Sequence, residues 1–165
     1  MLCVLSGARR LVVLRTGVKT SLSLPGGIIL LNKSLVEDFE DPSVVAGFIL
    51  AERARTNALD PLEELLSAGG PTASFRLLTT GEVIAPILDR YAETILVAPR
   101  PKIPNEAVLA AFAEVGISST AYAYAIDVTG ETVLGLIEAD PLAGKIAEPV
   151  LRDRDWVMLQ TICGS

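Results

Sequence analysis

The sequence predicts an α+β fold, on three observations. Two β-rich runs lie close together near the N-terminus, Asp-Pro pairs mark helix starts after them, and apolar residues at helical spacing recur through the rest of the chain. At 165 residues and 17.4 kDa, with half the residues hydrophobic and 21% charged, the chain suits one domain over residues 1–165 that buries a real core.

Leu11–Arg15, "LVVLR", is the first short strand. Pro25-Gly26 signals a turn, and Gly26-Gly27 opens the second strand, "GIILLN", so a sheet of two or three strands is expected. Ser34–Phe39 carries Leu35, Val36 and Phe39 at helical spacing. Asp41-Pro42 starts the next helix, because the carboxylate accepts orphan N–H groups and proline has none to lose. That helix places Val45, Phe48 and Ile49 on one stripe. Asp60-Pro61 starts another, with Glu63 placed for a capping box and Gly69-Gly70 as its stop, which implies an αα-hairpin.

Glu82–Val97 repeats Ile84, Ile87, Leu88, Tyr91, Ile95 and Leu96 at helical spacing. "APRPKIP" (98–104) is an extended connector that delivers Asn105 as the cap of a helix burying Val108, Leu109 and Phe112 and ending at Gly116. In 120–138, alternation around Tyr122, Tyr124 and Ile126, with a turn at Thr129-Gly130, favours a β-hairpin, although the alanines permit helix. A closing helix is expected around Trp156, Leu159 and Ile162 or Cys163.

Composition excludes several function classes. Twenty acidic residues against fourteen basic give a net charge of −6, and no Lys/Arg cluster is dense enough for a run of phosphates, so nucleic acid is not an expected partner. The longest uncharged run, Thr20–Asn32, has thirteen residues and is interrupted by Pro25-Gly26-Gly27, too short to span a bilayer. "MLCVLSGARR" puts its apolar patch before its arginines, the reverse of a signal peptide, and neither a leader nor a compartment is read from this chain. Cys3 and Cys163 form no ligand spacing and read as ordinary thiols, with a disulfide joining the termini as the alternative. There is no histidine, which removes Ser-His-Asp and Cys-His catalysis and every imidazole metal site.

Gly26-Gly27 and Gly69-Gly70 lack the spacing of phosphate loops and read as turns. Ser118-Ser119-Thr120 reads as loop or cap chemistry, and Glu37, Asp38, Glu40 and Asp41 as a solvated acidic face. The remaining candidate is "FILAERART" (48–56), where an apolar helix acquires Glu52, Arg53 and Arg55 within four residues. Positions 51, 52 and 55 share one side of a helix. In the plainer reading, its last turns expose these charges to water and the arginines complement the helix dipole.

The surrounding stretch "LPGGIILLNKSLVEDFEDPSVVAGFILAERART" resembles the HtpX and CAAX-prenyl-protease family of zinc metallopeptidases, most strongly over 11–70. The resemblance rests on Leu24-Pro25-Gly26-Gly27, Asn32 and the helix carrying Glu52, all in family spacing. It implies a zincin-like fold, with a small N-terminal sheet packed on an active-site-type helix and further helices after it.

Aligned this way, the family's HExxH motif falls on Ala51–Arg55: both ligand histidines are replaced, by Ala51 and Arg55, while the general-base glutamate is kept as Glu52. The third ligand has Glu106 as its nearest candidate, without the family's following Asp. The implication is a catalytically inactive homologue that has lost its zinc, with Arg55 near the metal position neutralising Glu52. Gly27, Ile28, Ile29, Leu30 and Leu31 would form an edge strand able to pair with a peptide or protein partner. A structural or regulatory subunit pairing with an active homologue, and a hydrolase with a non-zinc mechanism, are the alternatives; the oligomeric state is not legible.

Overall fold

The computed structural model describes residues 3–5, 10–97, 99–146 and 148–164, with side chains described for all of these except 3–5, 61 and 162–164. The side chains of Cys3 and Cys163, and with them the expectation for the two thiols, lie outside the described residues. The fold is α+β.

Strands β1 (Cys3–Leu5), β2 (Arg10–Leu14), β3 (Ser21–Leu24) and β4 (Ile28–Asn32) form one mixed sheet in the order β1-β2-β4-β3. Two strands join those expected. "SLSL" is short and half polar, so β3 carried little strand signal, yet Gly26 and Gly27 (φ 83° and 74°) fold it back as a tight hairpin partner of β4. The expectation that 27–31 is an edge strand is overturned. β4 pairs in parallel with β2 on one side, Arg10 opposite Ile28 through Leu14 opposite Asn32, and antiparallel with β3 on the other. An apolar run flanked on both sides is what an interior strand needs, and Ile29 and Leu31 are buried. The sheet edge beyond β4 belongs to β3.

Asn32 ends β4 and pins its surroundings. Its amide donates to the Val18 carbonyl (2.6 Å) and its oxygen accepts from the Ser34 N–H (2.9 Å), opening the short α1 (Ser34–Glu37). Asp41 then caps α2 (Pro42–Ala58), accepting from the Ser43 N–H at 2.8 Å. Asp41→Ala is expected to lower stability by about 1 kcal/mol in urea unfolding, the ordinary worth of an N-cap. The acidic run is accounted for by this cap, by Glu37 pairing with Lys33 (2.7 Å) and by exposure.

Helix α2 is buried on most of its circumference. Val44, Val45, Phe48, Leu50, Ala51 and Ala54 enter the main core together with Ile29 and Leu31 of the sheet and Phe112 and Trp156 from later helices. Helix α3 (Pro61–Thr80) is broken at Gly70 (φ 68°, ψ −169°), where a stop was expected, but the chain resumes helix immediately with Pro71 in its first turn. Its partner is α4 (Ala85–Val97) rather than α2; the pair closes over a second cluster of Leu65, Ala73, Ile87 and Tyr91. In α4 the expected stripe is only partly buried: Ile87 and Tyr91 are inside, while Leu88 and Leu96 are about half exposed.

Helix α5 (Asn105–Val115) ends at Gly116 in the left-handed region, as its sequence required, and buries Val108 and Phe112, with Leu109 half-buried against the same core. Asn105 is its first residue rather than its cap. The β-hairpin expected over 120–138 is replaced by α6 (Thr120–Ile126), a 3₁₀ turn (Glu131–Val133) and α7 (Leu134–Glu138). Alternation misled because Tyr122, Tyr124 and Ile126 are not equivalent: Tyr122 is buried, whereas the other two are about half exposed. The deciding contact is tertiary. Tyr122 meets Phe48 edge-on (centroids 5.1 Å apart) and lies over Phe112 (5.6 Å), while its Cβ packs on the backbone of Gly47.

The turn at Thr129-Gly130 exists, but it joins helices. The Asp127 carboxylate accepts from the N–H and hydroxyl of both Thr129 and Thr132, which holds its pKa well below the usual range. Helix α8 (Asp153–Gly164) buries Trp156, as expected. Among the described residues no helix is long and apolar enough to cross a membrane.

Candidate functional site

Glu52 lies on the face of α2 that packs against β3, and it is buried (3% exposed). One Oε1 accepts from the Ser21 hydroxyl at 2.7 Å and from Arg100 Nη1 at 2.6 Å; Oε2 accepts from the Ser23 N–H at 3.0 Å and from Arg100 Nη2 at 2.7 Å. Arg100 Nη1 also donates to the Ser21 carbonyl at 3.0 Å. The pair is bidentate, and it occupies two backbone groups on the outer edge of β3, the Ser21 carbonyl and the Ser23 N–H.

A buried carboxylate with four donors is a strongly held anion. Burial alone would raise the Glu52 pKa, but the Arg100 hydrogen bonds and charge, with Ser21 and Ser23, outweigh it and hold the pKa below the ordinary 4.5. A depressed folded pKa contributes stability that is full above pH 4.5 and is lost as pH falls through the folded value. Asp140 acts in the same direction, through Ser118, Thr120 and two backbone N–H groups. The melting temperature is therefore expected to fall on acidification below pH 4.5, and Glu52→Gln to make that fall shallower while leaving the Asp127 and Asp140 parts. An unchanged acid slope in the variant would count against the pairing.

The other expected residues are distributed differently. Ala51 is in the main core. Arg53 points away and pairs with Glu114 on α5 (2.8 and 3.0 Å). Arg55 neighbours Glu52, as an i, i+3 position must, but its guanidinium donates to the Pro101 carbonyl. The expectation that Arg55 neutralises Glu52 is thus corrected: Arg100, forty-eight positions downstream, does so. The plainer reading, with Glu52 in water, is also overturned. Glu106 is exposed in the first turn of α5.

These residues do not fit a zinc ion. Ala51 offers a methyl group, Arg55 a cation, and both Glu52 oxygens are bound to Arg100. Among the described residues no group of three or more His, Cys, Asp or Glu is arranged to hold a metal.

Beside the pair opens a cavity of roughly 620 Å³, between β3, the end of α2, the start of α3, α4 and residues 99–101. Arg55 and Arg100 line it, as do Asp60, Glu63 and Glu64 from α3 and its cap. Tyr122 lies within the field of Glu52, Arg55 and Arg100; burial first, then the Glu52 charge, pushes its pKa up to about 12.

Sequence reasoning missed Ser21, Ser23, Arg100 and Tyr91. For Arg100 a signal existed: a single arginine between Pro99 and Pro101, whose fixed backbones present its side chain at little entropic cost. The hydroxyl cluster at 118–120 is the loop chemistry expected of it, with Ser119 also donating to the Leu136 carbonyl (2.6 Å).

Comparison of the chain with protein-family models and with curated proteins finds no match.

Proposed function

We propose that this chain is a catalytically inactive homologue of the HtpX and CAAX-prenyl-protease type of zinc endopeptidase, and that the activity it keeps is peptide binding in the cavity beside β3. One observation carries the reading: the glutamate at the general-base position is bound on both oxygens by an arginine. A general base needs a free lone pair within reach of water or substrate, and a depressed pKa makes it a weaker base. The motif positions on either side supply no metal ligand. What supports binding is the cavity, whose volume is in the range of small-ligand sites and whose wall includes Leu22 and Ser23 of the edge strand.

The test is elemental analysis of the purified chain together with a peptidase assay on unstructured casein, wild type against Glu52→Gln. Zinc far below one equivalent and no Glu52-dependent hydrolysis are expected. Stoichiometric zinc, or hydrolysis abolished by Glu52→Gln, would overturn the reading.

A further inference from the structure

We infer that the cavity beside Arg100 takes the basic side chain, lysine or arginine, of a bound peptide. Two independent observations lead there. The first is Tyr91, which is 5% exposed and lines the cavity, yet its buried hydroxyl has no hydrogen-bond partner. Buried hydroxyls in native proteins are almost always satisfied, so an unpartnered one in a cavity wall marks a place where a ligand atom belongs. It lies within the field of both Glu64 and Arg100, which line the same cavity.

The second is the charge balance. The two cations of the wall are engaged: Arg100 by Glu52, and Arg55 by the Pro101 carbonyl. Asp60 accepts from the Leu62 N–H as a helix cap. Glu63 and Glu64 are exposed, and among the described residues neither is engaged by an ion pair. With Arg100 cancelled by Glu52, Arg55 is one positive charge against the three carboxylates of Asp60, Glu63 and Glu64, so the cavity favours a cation. Between the polar groups the wall is apolar, through Leu22, Ala58, Leu59, Ala68, Ile95 and Pro99. An apolar stem ending in a cation matches this arrangement, since lysine and arginine bury their methylenes and keep the charged head among acceptors. The Tyr91 hydroxyl is closed off within the wall, so it would accept from that head after a shift of the side chains around it.

This rests on the binding reading above in naming a peptide as the carrier; the charge preference stands on the cavity alone. The experiment is calorimetry of the full chain with acetyl-Ala-Xaa-Ala-amide peptides, where Xaa is Arg, Lys, Gln or Glu, and with agmatine as a free amine. The Arg and Lys peptides are expected to bind, with the Gln peptide about tenfold weaker and the Glu peptide not measurable. Glu63→Gln with Glu64→Gln should weaken the Arg peptide about five- to tenfold, two partly solvated charges being lost. Tyr91→Phe should weaken it about three- to tenfold, the worth of one hydrogen bond, with the melting temperature unchanged or raised. Equal binding of the Arg and Gln peptides, or no binding by any peptide, overturns the inference; agmatine alone binding overturns its peptide part. Hydrolysis and zinc content are separate readouts, so failure here is distinguishable from failure of the inactive-homologue reading.

Discussion

Arg100→Ala is expected to destabilise the chain by about 3 kcal/mol, the lower end of the range for removing one partner of a buried ion pair. The loss is large because Glu52 cannot follow its partner into water: its side chain is 4% exposed, whereas that of Arg100 is 31% exposed. The Ser21 carbonyl loses a donor in the same substitution. For a chain of this length the change corresponds to a drop of about 6–12 °C in melting temperature. Glu52→Gln with Arg100→Ala should lose less than the sum of the single variants, by about 1 kcal/mol or more, because the neutral amide tolerates the missing guanidinium. An Arg100→Ala variant within about 0.5 kcal/mol of the parent would show that the pair is not formed in solution.

Gly47→Val is expected to cost about 3 kcal/mol, for a steric reason. A Cβ at this position would lie 2.4 Å from the Cβ of Tyr122 and 2.9 Å from its Cγ. These atoms are close to the α6 backbone and cannot swing aside, so α6 must lift from α2 and disturb the packing of Tyr122 on Phe48 and Phe112. Alanine at 47 meets the same obstacle but regains about 1 kcal/mol of helix propensity, so it should cost less. The measurement is thermal unfolding followed by near-ultraviolet circular dichroism, which reports the aromatic cluster directly. Unchanged stability in Gly47→Val would place α6 elsewhere.

The expectations that failed and those that held differ in where their information lies. The starts of α2 and α3 at Asp41-Pro42 and Asp60-Pro61 were legible because capping is local: the carboxylate and the N–H it serves are two residues apart. The core stripe of Phe48 and the burial of Trp156 followed from spacing within one element. The interior position of β4 was not legible, because it depends on β2 and β3 closing on it from both sides. Nor was the helix at 120–126, since Tyr122 is buried by Phe48, Gly47 and Phe112, residues distant in sequence. The candidate site divides in the same way. Glu52 stood out by its type among apolar neighbours, but its partners at 21, 23 and 100 are brought to it only by the folded chain. Charge type on a helix tells that a partner is needed; it does not tell which.

The outer edge of β3 has one further consequence. An unpaired strand edge is a template on which another copy of the same chain can nucleate, and proteins protect such edges with charge or with a covering segment. Here the Glu52–Arg100 pair holds the Ser21 carbonyl and the Ser23 N–H, and Arg100 is anchored in the proline-rich stretch. Loss of Arg100 would therefore lower solubility as well as stability, leaving a strand end that a second molecule can extend.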